Sequence, residues 1–203
     1  MCAVRAARSL SQSRITYALC RPPGHHASDL RYGGYCYFNN AAVAVRALQS
    51  KCDVKRVAVV DVDYHHGNGT QDIFYEDPDV LYCSIHADPD HGGEPYFSGY
   101  SDETGVGEGE GTTFNVPIKP KITDEAFLEG LKQITTRVKT FAPEVLVVSL
   151  GVDIFCEDPL ALLGGITLEA FSKMGAALGD LRLPTLVIQE GGYHPTLTGD
   201  VRL

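Results

Sequence analysis

Two aspartates and two adjacent histidines fall within six residues, in the run DVDYHHGNGTQ that begins at Asp61. Residues two apart share a face of an extended chain, so Asp61, Asp63 and His65 project together if the strand persists that far. Two carboxylates on one face repel unless positive charge stands between them. A divalent cation meets that need, and an imidazole in the set favours zinc or another transition metal over calcium. Asp153, which ends another apolar run, supplies a third ligand to Asp63 and His65. Three protein ligands leave a fourth position open, as in catalytic rather than structural zinc sites. Each residue alone has an ordinary explanation, since an Asp at a strand end often caps the next helix. The joint pattern points to a site: three potential ligands, further histidines and a tyrosine all gather at strand ends.

The elements that must position these residues are five short apolar runs, at 15–20, 56–63, 80–85, 144–150 and 185–189, with a sixth short strand near 114–118. They are nearly continuous in Val, Ile and Leu, as expected of parallel strands covered on both faces. Helical stretches lie between several of them. One is NNAAVAVRALQSK with Asn39 or Asn40 as N-cap, the second starts after Thr123 and the third after Thr167. The alternation predicts an α/β domain with a mostly parallel sheet flanked by helices in three layers, and one domain over residues 1–203. Polar residues close or follow each of the five runs: RPPGHH, DVDYHHGNG, Ser84 with His86, GVD, and EGGYH. Sites in open α/β sheets form at the carboxyl ends of the strands. Residues 86–114 carry no clear element, and a loop that long in a compact domain is usually functional or disordered.

Composition narrows the chemistry. The net charge of −9 argues against a nucleic-acid partner, which needs a basic surface. No apolar run approaches the ~20 residues that cross a bilayer. Six cysteines without a CxxC pair or a secretory signal read as reduced thiols of a cytoplasmic protein. No acid precedes Asp29 while Arg and Ser are frequent, the composition of an organelle leader. The segment runs into TYALCRPPGHHA without a removable boundary, so it is read as a helix leading into a strand.

The blocks RPPGHHA, GGYCYFNNAA, DVDYHHGNGTQDIFY, SLGVD with EDPL, and EGGY resemble the zinc-dependent deacetylases of the arginase/deacetylase fold. SIHADP, the Gly-rich ETG segment and VVSLGVDIF point to the acetylpolyamine amidohydrolase branch, with class II-type histone deacetylases next. The resemblance implies Asp63, His65 and Asp153 as zinc ligands, His25 and His26 as tandem catalytic histidines, and Tyr193 as the hydroxyl that binds the substrate carbonyl. It implies that Asp61 orients His25 and Asn68 orients His26. A structural potassium ion would use Asp61, Asp63, His65, Ser84 and Ile85, partly through backbone carbonyls. Gly34 and Tyr35 would line a narrow channel. An anionic Asp61 should keep His25 charged, whereas neutral Asn68 leaves His26 to titrate lower. His26 is therefore expected to be the general base and acid, and His25 the electrostatic support.

The expected reaction is hydrolysis of an acetylated primary amine, an acetylpolyamine or similar small acetamide. A protein acetyl-lysine deacetylase and a metal-binding remnant without turnover are the rival readings. An arginase-like binuclear site fits poorly, because the additional metal-bridging residues have no counterparts here. The chain departs from the family in two ways. It lacks the N-terminal section that supplies two edge strands, so an exposed sheet edge open to homo-oligomer formation is expected. Glu94 stands where family members place an aromatic before Pro95, so Tyr96 or Phe97 takes over that wall. A Glu94 that faces the channel favours a cationic substrate, and a solvated loop acid is the alternative.

Overall fold

Residues 2–196 are described by the structure, a computed structural model. Among these residues six strands form one sheet: β1 (Ile15–Ala18), β2 (Val57–Asp61), β3 (Val80–Ala87), β4 (Thr113–Ile118), β5 (Val145–Leu150) and β6 (Thr185–Gln189). Their spatial order is β1-β6-β5-β2-β3-β4, and every neighbouring pair is parallel. Every residue of β2, β3 and β5 is buried, which accounts for their unbroken apolar character. Among the described residues the α-helices are α1 (Cys2–Ser9), α2 (Asn40–Lys51), α3 (Asn68–Phe74), α4 (Asp124–Phe141) and α5 (Leu168–Gly179).

Strand alternation divides the core in two. Val57 and Val59 face a cluster that includes Ala44, Val45 and Leu48 of α2 and Phe74 of α3. Ala58 and Val60 face the opposite cluster, with Phe127 and Leu131 of α4 and Phe171 and Met174 of α5. The three-layer arrangement expected from the sequence is therefore present. Asn39, not Asn40, caps α2 by accepting from the Ala42 N–H at 2.8 Å, and Thr123 and Thr167 cap α4 and α5.

Several expected boundaries move. β2 stops at Asp61 rather than 63, and β1 stops at Ala18 rather than 20. β3 continues to Ala87, so His86 lies inside a strand instead of beyond its end. The segment read as elementless holds two short 3-10 turns, Pro89–His91 and Gly107–Gly109, and then β4. Helix α3 has only seven residues, too few for a periodic signal. β1 is an edge strand, and Ile15, Tyr17 and Leu19 stand exposed there.

Candidate active site

Asp61 closes the central strand β2, and the chain after it turns so that the carboxylates point inward. The Asp63 N–H donates to Asp61 Oδ1 at 3.2 Å, and the His65 N–H donates to Asp63 Oδ1 at 2.9 Å. Because β2 ends at Asp61, local turn bonds and not strand alternation bring Asp63 and His65 to one place. Gly67 ends this turn where no larger residue fits. An added Cβ would press on the Asp61 carboxylate, and would stand 2.6 Å from the Tyr82 hydroxyl and 3.1 Å from His25 Nδ1. Asp153 arrives three residues after β5, and its Oδ1 accepts the Tyr64 N–H at 3.0 Å.

The ligand atoms of Asp63, His65 and Asp153 all lie within 4.8 Å of one another. His65 Nδ1 is 3.0 Å from Asp153 Oδ2 and 3.3 Å from Asp63 Oδ1. Asp63 and Asp153 are fully buried, so they repel with little water to screen them. Burial and the Asp63 charge together push the Asp153 carboxyl up, while His25 and His65 pull Asp63 well down. Burial alone would lower His65, but hydrogen bonds to Asp153 and Asp63 raise it to about 10. The pocket demands positive charge between its acids. Two carboxylate oxygens and one imidazole nitrogen form a donor set suited to a single zinc-type cation.

The tandem histidines sit beside this cluster in unlike surroundings. His25 Nδ1 lies 3.1 Å from Asp61 Oδ2, and its Nε2 lies 3.8 Å from Asp63 Oδ1. Burial opposes its charge, yet the Asp63 and Asp61 carboxylates hold His25 well above the ordinary histidine range. His26 Nδ1 lies 2.8 Å from Asn68 Oδ1, on the first residue of α3. Burial and the neighbouring charge on His25 press His26 down to about 3. The two rings are 4.1 Å apart between centroids. Gly34 makes room for them: its φ is +53°, and a Cβ there would collide with the His26 ring. Tyr193 follows β6, and its ring lies 5.8 Å from that of Tyr35. Burial, then the charges of Asp63 and Asp153, raise its hydroxyl, so it stays protonated and able to donate.

A cavity of about 1100 Å³ opens over these groups. His26, His65 and Tyr193 border it, as do Gly34, Tyr35, Glu94 and Phe97. Tyr96 borders it too, so both aromatics expected to replace the missing wall residue are present. Of the positions assigned to potassium, Asp63 and His65 belong to the cluster itself, and Asp61, Ser84 and Ile85 are fully buried strand residues beside it. Asp61 is register partner of Ser84 across β2 and β3.

Sequence reasoning passed over several residues. The second histidine of the pair, His66, turns away from the acids and meets Gln71 Oε1 at 3.1 Å. Glu190 is buried, and its Oε2 accepts the Gly24 and His25 N–H groups at 2.6 and 3.2 Å, seating the histidine loop. Burial raises it to about 7. Asp158 likewise accepts backbone N–H groups, from Tyr193 and His194. Both acids lay within quoted motifs. Their signal was a carboxylate inside a Gly- or Pro-bounded turn, where backbone donors lack partners.

Among proteins of known family, the chain matches the histone deacetylase domain over residues 1–202. It is 48% identical over 178 residues to an acetylpolyamine amidohydrolase of Burkholderia pseudomallei, a match covering 88% of this chain and 51% of that protein. To human histone deacetylase 7 it is 38% identical over 192 residues, covering 91% of this chain and 20% of that one. A crystal structure of acetylpolyamine aminohydrolase from Burkholderia pseudomallei aligns with a TM-score of 0.90 at 44% identity, covering 97% of this chain and 56% of that one. The chain spans about half the length of the curated amidohydrolases it matches.

Proposed function

Since this chain belongs to the histone deacetylase domain family, we propose that it hydrolyses an acetylated primary amine, an acetylpolyamine or similar small acetamide, to the free amine and acetate. One observation carries the reading: Asp63, His65 and Asp153 converge beside two histidines whose environments pull them apart in basicity. Similarity to acetylpolyamine amidohydrolases supports the substrate class.

Asp63, His65 and Asp153 would hold zinc, which would supply a Lewis acid for the acetyl carbonyl and acidify water toward pKa ~7. The remaining work falls to the side chains. With Asn68 Oδ1 accepting from His26 Nδ1, the Nε2 lone pair is free at neutral pH to take the proton of the attacking water. That proton then passes to the departing amine. His25, charged and held by Asp61, stabilises negative charge that develops at the carbonyl oxygen. The Tyr193 hydroxyl donates to the same oxygen, a role worth about 2.7–4 kcal/mol in comparable sites. Tyr35 and Phe97 guide the alkyl arm, and Glu94 meets a cationic end of the substrate. Asp61, Asp63, His65, Ser84 and Ile85 would hold potassium as a structural ion. A reducing cytoplasm suits the six free thiols.

The test is turnover of N-acetylputrescine and of a fluorogenic acetyl-lysine peptide by purified chain, with zinc bound, after chelation and after zinc is restored. Turnover that chelator abolishes and zinc restores is expected, faster on the polyamine. A zinc-loaded chain that hydrolyses neither substrate overturns the reading.

A further inference from the structure

We propose that Asp158 is a positioning residue for Tyr193, fixing where its hydroxyl stands by gripping the backbone beneath it. Asp158 lies on the loop after β5, five residues beyond Asp153, and is 6% exposed. Its Oδ2 accepts the N–H of Tyr193 at 2.7 Å and that of His194 at 3.0 Å. Its Oδ1 accepts the Leu160 N–H at 2.9 Å. Hydrogen bonds to a carboxylate are among the stronger ones available, and this carboxylate receives three.

The segment it holds needs such a grip. β6 ends at Gln189, and Gly191 and Gly192 precede Tyr193. Gly192 has a φ of +144°, and two glycines in succession give a turn no side chain of its own to limit it. Gly191 is tied to the metal cluster, since its N–H donates to Asp63 Oδ2 at 2.8 Å. Asp158 ties the far side of the same turn. The loop that carries a candidate ligand, Asp153, thereby also sets the height of the Tyr193 ring over the cluster. A purely local role, closing its own turn through Leu160, would leave Tyr193 indifferent to Asp158.

The inference rests on the amidohydrolase reading, because Tyr193 matters there as a donor to the reacting carbonyl. Its test uses Asp158→Asn, Tyr193→Phe and the double variant, with zinc content and melting temperature recorded for each. Asparagine keeps the size but turns one acceptor into a donor. Asp158→Asn is expected to keep its zinc and its KM while kcat falls about 10²-fold, the scale of an ångström-level misplacement. The double variant should be no slower than Tyr193→Phe alone. Effects that multiply in the double variant, or an Asp158→Asn kcat within twofold of the parent, overturn the proposal.

Two further measurements do not depend on turnover. Amide hydrogen exchange of the unsubstituted chain should show slow Tyr193 and His194 N–H groups, and free exchange at both overturns the grip. A trifluoromethyl ketone analogue of acetyl-lysine, whose hydrate mimics the tetrahedral adduct, should bind Asp158→Asn and Tyr193→Phe with similarly reduced affinity. Undiminished affinity in Asp158→Asn alone counts against the proposal. Absence of turnover in the parent chain defeats the functional reading instead, and leaves these two measurements to decide Asp158.

Discussion

Asp61, Asp63 and Asp153 show no surface to solvent, whereas Tyr35 and Phe97, which border the cavity over the same cluster, are 67% and 64% exposed. On the floor each carboxylate oxygen of these three acids meets a partner within hydrogen-bond reach, because a buried charge without one is expensive. At the rim no such constraint acts, and side chains can change with little cost to the fold. The contrast separates two questions that one cavity answers. On the proposed reading, what reaction occurs would be decided by buried groups with fixed partners, and which substrate enters by exposed groups that can be exchanged.

The largest effect should come from breaking the floor at Asp153. Asp153→Asn removes one candidate ligand and one of the cluster's two carboxylate charges. Zinc per chain after dialysis is expected to drop from one to near zero, and turnover to fall below detection. Replacing Tyr35 by Ala at the rim should leave zinc content unchanged. Full zinc retention in Asp153→Asn would show that the three converging side chains are not the metal site.

Next is the asymmetry within the floor. His26→Ala should lower kcat by about 10²–10⁴, the usual contribution of a general acid–base group, with zinc still bound. Removing His25 should also cost stability, since Asp61 loses the charge that faces it. Near-normal turnover in His26→Ala would move the base to His25.

Much of the floor was legible because its residue types sit at short, fixed intervals after apolar runs. Strand geometry then needs only to end near Asp61, and the turn does the rest. The three-layer sheet was readable for the same reason, since β2, β3 and β5 are apolar throughout. Less legible was whatever depends on backbone donors rather than on side-chain pattern. Glu190 and Asp158 act on the main chain of distant loops, and one sequence carries no mark of which loop they meet. His66 reads like its neighbour His65, yet the turn sends it to Gln71. The extent of β3 was hidden because His86 looks like a loop residue until its bond to Ser84, at 2.8 Å, is seen.

The floor also makes the metal-free protein sensitive to pH. Glu190 has an ordinary value near 4.5 and rises to about 7 when buried, and His65 rises from 6.5 to about 10. In both windows the folded chain holds a proton that the unfolded chain has released. Stability is therefore complete below the unfolded values and declines as pH climbs through 7 and then toward 10. With chelator present, the melting temperature should fall from pH 7 to pH 9, above the range in which the lowered His26, His66 and His86 act in the opposite sense. Zinc bound at the proposed site would take the place of the His65 proton and should flatten or invert the trend. A chelated protein that gains stability over this range would contradict the charge arrangement described for the floor.

The smallest effect belongs to the rim. Glu94 is exposed and borders the cavity, so its charge acts through water and salt. A single screened charge is worth at most about 1 kcal/mol at such a site, which corresponds to a few-fold in rate. Glu94→Gln keeps the shape and removes the charge. It should lower kcat/KM for N-acetylputrescine about three- to fivefold at low salt, and less at high salt. A neutral acetamide of the same length should be unaffected. If both substrates respond alike, Glu94 is a solvated loop acid and the choice of amine is made by the aromatic wall. If only the cationic one responds, the rim reads charge while the floor reads the acetyl group, and the two regions divide recognition between them as their burial suggests.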